Sequence, residues 1–393
     1  MNYHLMIDDK FIDDFIKDAE QVAPGNNIFI IDAVKEQAKH VKSDRVHFAP
    51  HYTPAFRELV KNISSKDKVF IHWASESAIR FALTLDKNIP LGLFFWGGDV
   101  VEIPVSRFKH TIYGPLSLPY FEKHEEHDPV QWNLLKPKKL YRSFAKRYIH
   151  YKREQREIAH TRALFFERLN YFLNWNLLDH DWIKQHYTTR VAYKYFFYNF
   201  NPKPDDTAQV QGSGEKRPYT TILLGNSDTI TNNHLEALRA LSVFKNDPVK
   251  LVIPLSYRDG AYADFVEQQA IAIFGKEKVR ALRGFLPRDE YYKQLDEVDV
   301  AVMYHYRPQA AGNTLALLYR GKKVFVHHNS TTFGLLKNNH ATVFDSADIS
   351  SLSFEEFSRP LTAGEIQQNI TIVDQLFDQQ EKMRVLKETL AGN

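Results

Sequence analysis

From residue 219 onward the chain alternates short unbroken apolar runs with longer amphipathic stretches, and few folds accommodate that pattern. The runs at 219–224, 249–254, 279–282, 298–303 and 323–327 read as strands. The stretches 233–244, 262–274, 288–295 and 314–320 read as helices between them. A strand that is apolar throughout must be covered on both faces. Helical crossovers supply that cover, and the product is a doubly wound α/β fold on a parallel sheet.

The first part of the chain carries the same signature more sparsely. Strands are expected at 27–32, 68–73 and 91–96, with an amphipathic helix at 75–85. The region 113–190 shows few strand signals and is rich in aromatic and basic residues. It reads as mostly helical, with Pro115, Pro119, Pro129 and Pro137 breaking its early part. A polar tract rich in Pro, Gly, Asp and Ser ends at residue 218 and reads as a linker. The expected plan is a Rossmann-like domain over 1–205 with a basic helical insertion at about 113–190, and a linker over 206–218. A second Rossmann-like domain follows over 219–362, then helices over 363–393. Two such halves imply a cleft between them, a favoured place for a ligand.

With 393 residues, 44% of them apolar, each half can bury its own core. The chain has no cysteine, which excludes disulfides, thiolate metal sites and a cysteine nucleophile. A reducing compartment fits. The opening MNYHLMIDDKFIDDF holds four aspartates and no apolar core of signal-peptide length. No stretch reaches the roughly 18 apolar residues of a membrane span, so a soluble or surface-bound cytoplasmic protein is expected.

Ligands of open α/β sheets sit beyond the carboxyl ends of the strands. After the first strand of the second half come Gly225, Asn226, Ser227 and Asp228. The glycine permits a tight turn and close approach of a ligand, and the small polar residues could donate to a phosphate. Ordinary turn and capping chemistry is the alternative. After the strand at 298–303 come Tyr304, His305, Tyr306, Arg307, Pro308, Gln309, Ala310, Ala311, Gly312, Asn313 and Thr314, where a helix begins. A helix start suits a diphosphate, Arg307 could add a charged contact, and Tyr304 or Tyr306 could stack on a base or sugar. A capped surface loop is the plainer reading. Neither GxGxxG nor GxxxxGK[ST] appears in the right context, which argues against a dinucleotide dehydrogenase and a P-loop ATPase. His327 and His328 are adjacent on an extended chain and point apart, so no metal site is expected there.

The stretch LLGNSDTITNNHLEALRAL (223–241) resembles glycosyltransferase family 56, the bacterial 4-acetamido-4,6-dideoxygalactose transferases. VKLVIPLSY (249–257) and RPQAAGNTLALL (307–318) continue the resemblance. FFWGGDV (94–100) is similar to the family's Trp-Gly-x-Asp segment. The resemblance implies a GT-B fold, in which two Rossmann-like domains face a central cleft. It implies a dTDP-sugar donor in the second domain and a polyprenyl-diphosphate-linked saccharide as acceptor in the first. No metal or other cofactor is implied. Carried over by position, Gly225, Asn226, Ser227, Tyr257, Arg307, Gln309, Gly312 and Thr314 would lie near the donor; the loop itself adds Tyr304 and Asn313 as donor-side candidates, and His72 and Trp96, at strand ends of the first half, are acceptor-side candidates. Pro308, Asn313 and the long basic region depart from the family pattern. They leave open a capsule or other surface polysaccharide in place of enterobacterial common antigen.

Transfer needs help for the departing diphosphate, for which Arg307 and the helix start at Asn313 and Thr314 are candidates. An inverting reaction also needs a base for the attacking hydroxyl. Asp99, following Gly97 and Gly98, is the first candidate and His72 the second. A capping role for Asp99 and a buried, satisfied His72 are the alternatives. Residues 136–156 carry nine Lys or Arg against one Glu, with aromatics interleaved. Lys138, Lys139, Arg142, Lys146 and Arg147 would dock an anionic membrane surface, placing the protein peripherally on the inner membrane. Nothing else supports nucleic-acid binding. Alternatives are a sugar-nucleotide epimerase or hydrolase of the same architecture, or a non-enzymatic basic binding protein at the membrane.

Overall fold

The computed structural model describes residues 1–124, 138, 141–142, 145–199, 217–256, 260–284 and 286–391. The chain divides into two compact units. Unit 1 takes 1–107, 152–200 and 376–393, and unit 2 takes 108–151 and 201–375.

Unit 1 is built on a seven-stranded sheet. Its strands are β1 (Asn2–Met6), β2 (Asn27–Ile31), β3 (Val46–Phe48), β4 (Lys68–Ile71), β5 (Leu91–Phe94), β6 (Tyr171–Asn174) and β7 (Ala192–Tyr195). They lie in the order β3-β2-β1-β4-β5-β6-β7, every pair parallel. Helices α1 (Ile12–Val22), α2 (Pro54–Val60), α3 (Glu76–Thr84) and α4 (Gly98–Val101) follow the early strands. Thr53 and Ser75 cap α2 and α3 by accepting from the third amide of each helix. Next come α5 (Val105–Ile112) and α6 (Ser117–His124), then α7 (Tyr151–Arg168) and α8 (Leu177–His186).

Unit 2 holds β8 (Thr220–Leu224), β9 (Val249–Pro254), β10 (Val279–Leu282), β11 (Val300–Met303), β12 (Lys323–Val326) and β13 (Phe344–Asp345). The order is β10-β9-β8-β11-β12-β13, again all parallel. Between the strands run α9 (His234–Leu241), α10 (Gly260–Phe274), α11 (Arg288–Asp296), α12 (Ala311–Tyr319) and α13 (Thr331–Asn338). The chain closes with α14 (Phe354–Ser358), α15 (Ala363–Leu376) and α16 (Gln379–Ala391). In each sheet the winding reverses between the first and fourth strands, and the crevice at such a reversal is where α/β sheets take ligands.

Two segments fall in a different unit from the one their position suggests. Residues 108–124 pack with unit 2 rather than with the first domain. The Glu236 carboxylate accepts from the amides of Leu116 and Ser117 at 2.7 and 2.8 Å and from the Ser117 hydroxyl at 2.5 Å. Asn233 accepts from the Gly114 amide at 2.9 Å and donates to the Ile112 carbonyl at 3.2 Å. The terminal helix α16 packs with unit 1. Its Leu386 and Leu390 enter the core with Phe15 and Ile16, and buried Lys382 meets Asp18 at 2.7 Å. The region expected to be mostly helical also contains β6. The linker lies outside the described residues except for its last two positions.

Candidate functional site

In unit 2 the loops after β8 and β11 meet at the reversal of winding. Gly225 turns the chain at φ 70°, where its amide donates to the Val302 carbonyl at 3.0 Å. A methyl there would sit 2.7 Å from Asn232 Oδ1 and 3.0 Å from His234 Nε2. Gly225→Ala is therefore expected to cost about 1–2 kcal/mol in backbone strain alone and more from the clash, read as a lower urea midpoint.

The two loops form one polar network. Gln309 donates to Asn226 Oδ1 at 3.2 Å and to Thr229 Oγ1 at 3.0 Å, and accepts from Thr231 Oγ1 at 2.8 Å. His305 Nε2 lies 3.1 Å from Asn226 Oδ1 and 2.8 Å from Asn232 Oδ1. Both neighbours are acceptors, so this nitrogen carries the proton. Burial, with Arg307 and His234 adding to it, holds the imidazole well below its usual pKa. Buried Ser227 shares Asn232 and Thr229. The Arg307 guanidinium is turned onto the loop itself, donating to the Pro308 carbonyl at 2.7 Å and to Thr231 Oγ1 at 3.3 Å.

Ala310, at φ 57°, leads into α12, and no side chain caps that helix start. The first-turn amides of Ala311, Gly312 and Asn313 carry the positive end of the helix. Asn313 donates to the Tyr291 hydroxyl at 2.9 Å. Thr314 is buried, and its amide is spent on the Ala310 carbonyl. Tyr304 and Tyr306 pack on His327, with ring centroids 4.9 and 4.2 Å away. Burial lowers the His327 pKa to about 4. His328 pairs with Asp345 at 2.8 Å. Among the described residues no group of three His, Cys, Asp or Glu is placed to hold a metal ion. Tyr257 lies outside the described residues.

The structure thus joins Gly225, Asn226, Ser227, Arg307 and Gln309 through shared neighbours, while Tyr304 is tied to His327 and to Asn233, which donates to its carbonyl at 3.2 Å, and Thr314 faces inward. Thr229, Thr231 and Asn232 were not singled out from the sequence. Their signal was the polar stretch 225–234, broken only by Ile230 and longer than a simple turn requires.

In unit 1, Asp99 occupies the first turn of α4 and is fully enclosed, rather than projecting from a flexible turn. One carboxylate oxygen accepts from the Ala74 amide at 2.8 Å, and the other has no hydrogen-bond partner. Arg162, also enclosed, donates to the Asp99 and Ala74 carbonyls at 2.7 Å each and to Glu76 at 3.0 Å. Burial raises the Asp99 pKa to about 6, with the Ala74 amide and Arg162 pulling the other way. His72 has no free nitrogen. Nδ1 meets the Tyr198 hydroxyl at 2.6 Å and Nε2 meets His4 at 3.0 Å, so it cannot serve as the base in this arrangement. Asp32, His51 and Ser77 cluster nearby. Ser77 Oγ and Asp32 Oδ2 both approach His51 Nδ1, at 2.8 and 3.0 Å, so they do not form a nucleophile relay through the ring.

Lys138, Arg142 and Lys146 are exposed. Lys139 and the Arg147 side chain lie outside the described residues. Among the described residues no helix is long and apolar enough to cross a membrane.

Solved structures of the same fold cover the whole chain. HepE from Anabaena in complex with UDP has a TM-score of 0.62 at 11% identity, with 100% of both chains covered. WaaG, a glycosyltransferase involved in lipopolysaccharide biosynthesis, has a TM-score of 0.59 at 12% identity, again with 100% of both chains covered. Sucrose-phosphate synthase from Thermosynechococcus elongatus gives 0.62 at 9% identity over 100% of both. The fold is GT-B, the two-sheet architecture of a large class of glycosyltransferases. Within that class the chain belongs to glycosyl transferase group 56, described as 4-alpha-L-fucosyltransferase, whose family model matches residues 154–389. It is a glycosyltransferase.

Proposed function

We propose that the chain moves a 6-deoxy amino sugar from a dTDP-linked donor to a polyprenyl-diphosphate-linked saccharide, without a metal ion, in surface polysaccharide synthesis. The observation that carries this reading is the network joining Asn226 to Gln309 beside the uncapped start of α12. Amides at 311–313 suit a leaving diphosphate, and the Tyr304–Tyr306–His327 cluster suits a base. Arg307 orders this loop and is near enough in sequence to reach the diphosphate once it leaves Thr231. UDP bound to HepE supports a nucleotide-linked donor. The fucosyl description of the family supports a 6-deoxyhexose. Tyr141 and Ile149, 67% and 52% exposed among exposed Lys138, Arg142 and Lys146, support docking on an anionic membrane from the cytoplasmic side.

Thermal unfolding with added nucleotides tests the donor. At one hundred times its dissociation constant, dTDP should stabilise the protein by about 2.7 kcal/mol. That corresponds to an upward shift of roughly 2–4 °C, unchanged by a chelator. A larger shift with UDP would replace the nucleotide. No shift with any nucleoside diphosphate would sink the reading.

A further inference from the structure

The carboxyl ends of the unit 1 strands carry a feature that the transfer chemistry leaves unused. Phe11 follows β1, Trp73 follows β4, Trp96 follows β5 and Tyr198 follows β7, and all four are half-buried. Trp96 is the hub, with ring centroids at 4.7 Å from Tyr198, 5.9 Å from Phe11 and 6.1 Å from Trp73. The winding reverses between β1 and β4, so the cluster stands where this sheet would take a ligand.

A one-way relay holds the hub in place. The Trp96 indole N–H donates to the Tyr198 hydroxyl at 3.2 Å. The hydroxyl keeps its own hydrogen for His72 Nδ1 at 2.6 Å, the direction set by the acceptor oxygen of Asn27 at the far end of the chain. His72 then carries its proton on Nε2 and gives it to His4 Nδ1 at 3.0 Å, and His4 Nε2 points to Asn27 Oδ1 at 3.4 Å. The Asn27 amide nitrogen is committed to the Ala23 carbonyl and to Glu20 Oε1, each at 2.8 Å, which turns its oxygen toward His4. Phe29 and Phe70, cross-strand neighbours of His4 on β2 and β4, stack on its ring at 5.1 and 5.3 Å. Both imidazoles stay neutral in this surrounding, so every donor and acceptor has one assignment. A buried network so committed is rigid. At the strand carboxyl ends it reaches the surface through the Trp96–Tyr198 pair.

We propose that Phe11, Trp73, Trp96 and Tyr198 form a stacking platform for a pyranose ring of the acceptor, with half-buried Asp9 taking one of its hydroxyls. This rests on the reading that unit 1 receives the acceptor. The flat C–H face of a pyranose complements the negative face of an indole. A few polar groups beside such an apolar wall fix orientation. Asp9 is half-buried two residues before Phe11. A hydrocarbon chain on the same platform would cover this carboxylate without pairing it, at a cost of a few kcal/mol.

Saturation-transfer NMR on the full chain tests the platform, with the methyl glycosides of glucose, galactose and N-acetylglucosamine as probes. Wild type should saturate the ring protons of one face of at least one glycoside. Trp96→Ala should reduce that signal at least fivefold and Trp96→Phe should restore part of it. Tyr198→Phe keeps the ring but removes the acceptor of the indole N–H, and should also weaken the signal. No saturation by wild type, an unchanged signal in Trp96→Ala, or saturation confined to the alkyl chain of octyl glucoside would each overturn the proposal. Nucleotide-induced stabilisation is measured on the same samples. Its persistence in the variants shows that they are folded, and its absence from wild type would sink the donor reading while leaving the platform standing.

Discussion

Asp99→Asn is expected to lower transfer by two to four orders of magnitude while nucleotide-induced stabilisation survives. General-base help contributes about 10²–10⁴ to a rate, and an amide cannot take the proton. The substitution is nearly isosteric and keeps an oxygen to accept from the Ala74 amide. It should not harm the fold. Burial holds the carboxyl at about 6 against an ordinary 3.8, which amounts to about 3 kcal/mol of preference for the neutral form. Replacing a destabilised carboxylate by a neutral amide should therefore leave stability at pH 8 unchanged or higher, so lost turnover cannot be assigned to unfolding. The pH profile supplies the second readout. A base must be ionised to act, so kcat/KM of the wild type should rise through about pH 6 and level off above it. The Asp99→Asn enzyme should show a low, flat profile over the same range. Unchanged turnover, or a wild-type profile without that rise, would remove Asp99 as the base.

The legible parts of the fold share one physical property. Strands β9 and β10 stand at the residues expected, and β8, β11 and β12 within two, because each keeps a short run rich in Val, Ile, Leu or Phe even where Lys250 or Arg280 interrupts it. Strand β1 was not legible, since Asn2 and His4 interrupt its apolar run although both are buried. Their burial is explained by partners 25 to 68 residues away, which no local window contains. Strands β6 (YFLN) and β7 (AYKY) hide in an aromatic stretch and contain no β-branched residue of their own. The allegiance of residues 108–124 hangs on Glu236 and Asn233, over 110 residues downstream. Site loops were readable where they directly follow a readable strand, as at Gly225 and Tyr304. Tyr198 was not, because β7 before it was not.

Acid should loosen unit 2 before unit 1, and the reason is the sign of each buried group. A histidine kept neutral by burial takes no proton in the folded state, whereas the unfolded chain takes one below about pH 6.5. Stability from such a group is complete above 6.5 and is lost as the pH falls toward the folded value. In unit 2, His234 is held at about 3 and His327 at about 4, and His305 is displaced in the same direction. At pH 4.5, His234 and His327 each contribute a loss of roughly 2–3 kcal/mol relative to pH 7. Unit 1 contains His4, held at about 3, and His72, also lowered by burial. It also contains Asp99, whose raised pKa works the other way. Folded Asp99 binds its proton near pH 6 while the unfolded chain waits until about 4, returning about 2 kcal/mol by pH 4.5. Hydrogen exchange at pH 7 and 4.5, corrected for intrinsic rates, should show protection falling further in β8, β9 and β11 than in β1, β4 and β5. Asp99→Asn removes the compensating group, so it should steepen the acid loss of unit 1 by about one proton between pH 6 and 4. Equal losses in the two sheets, or no steepening in the variant, would mean that the buried imidazoles gain water or partners on protonation that the neutral structure does not contain.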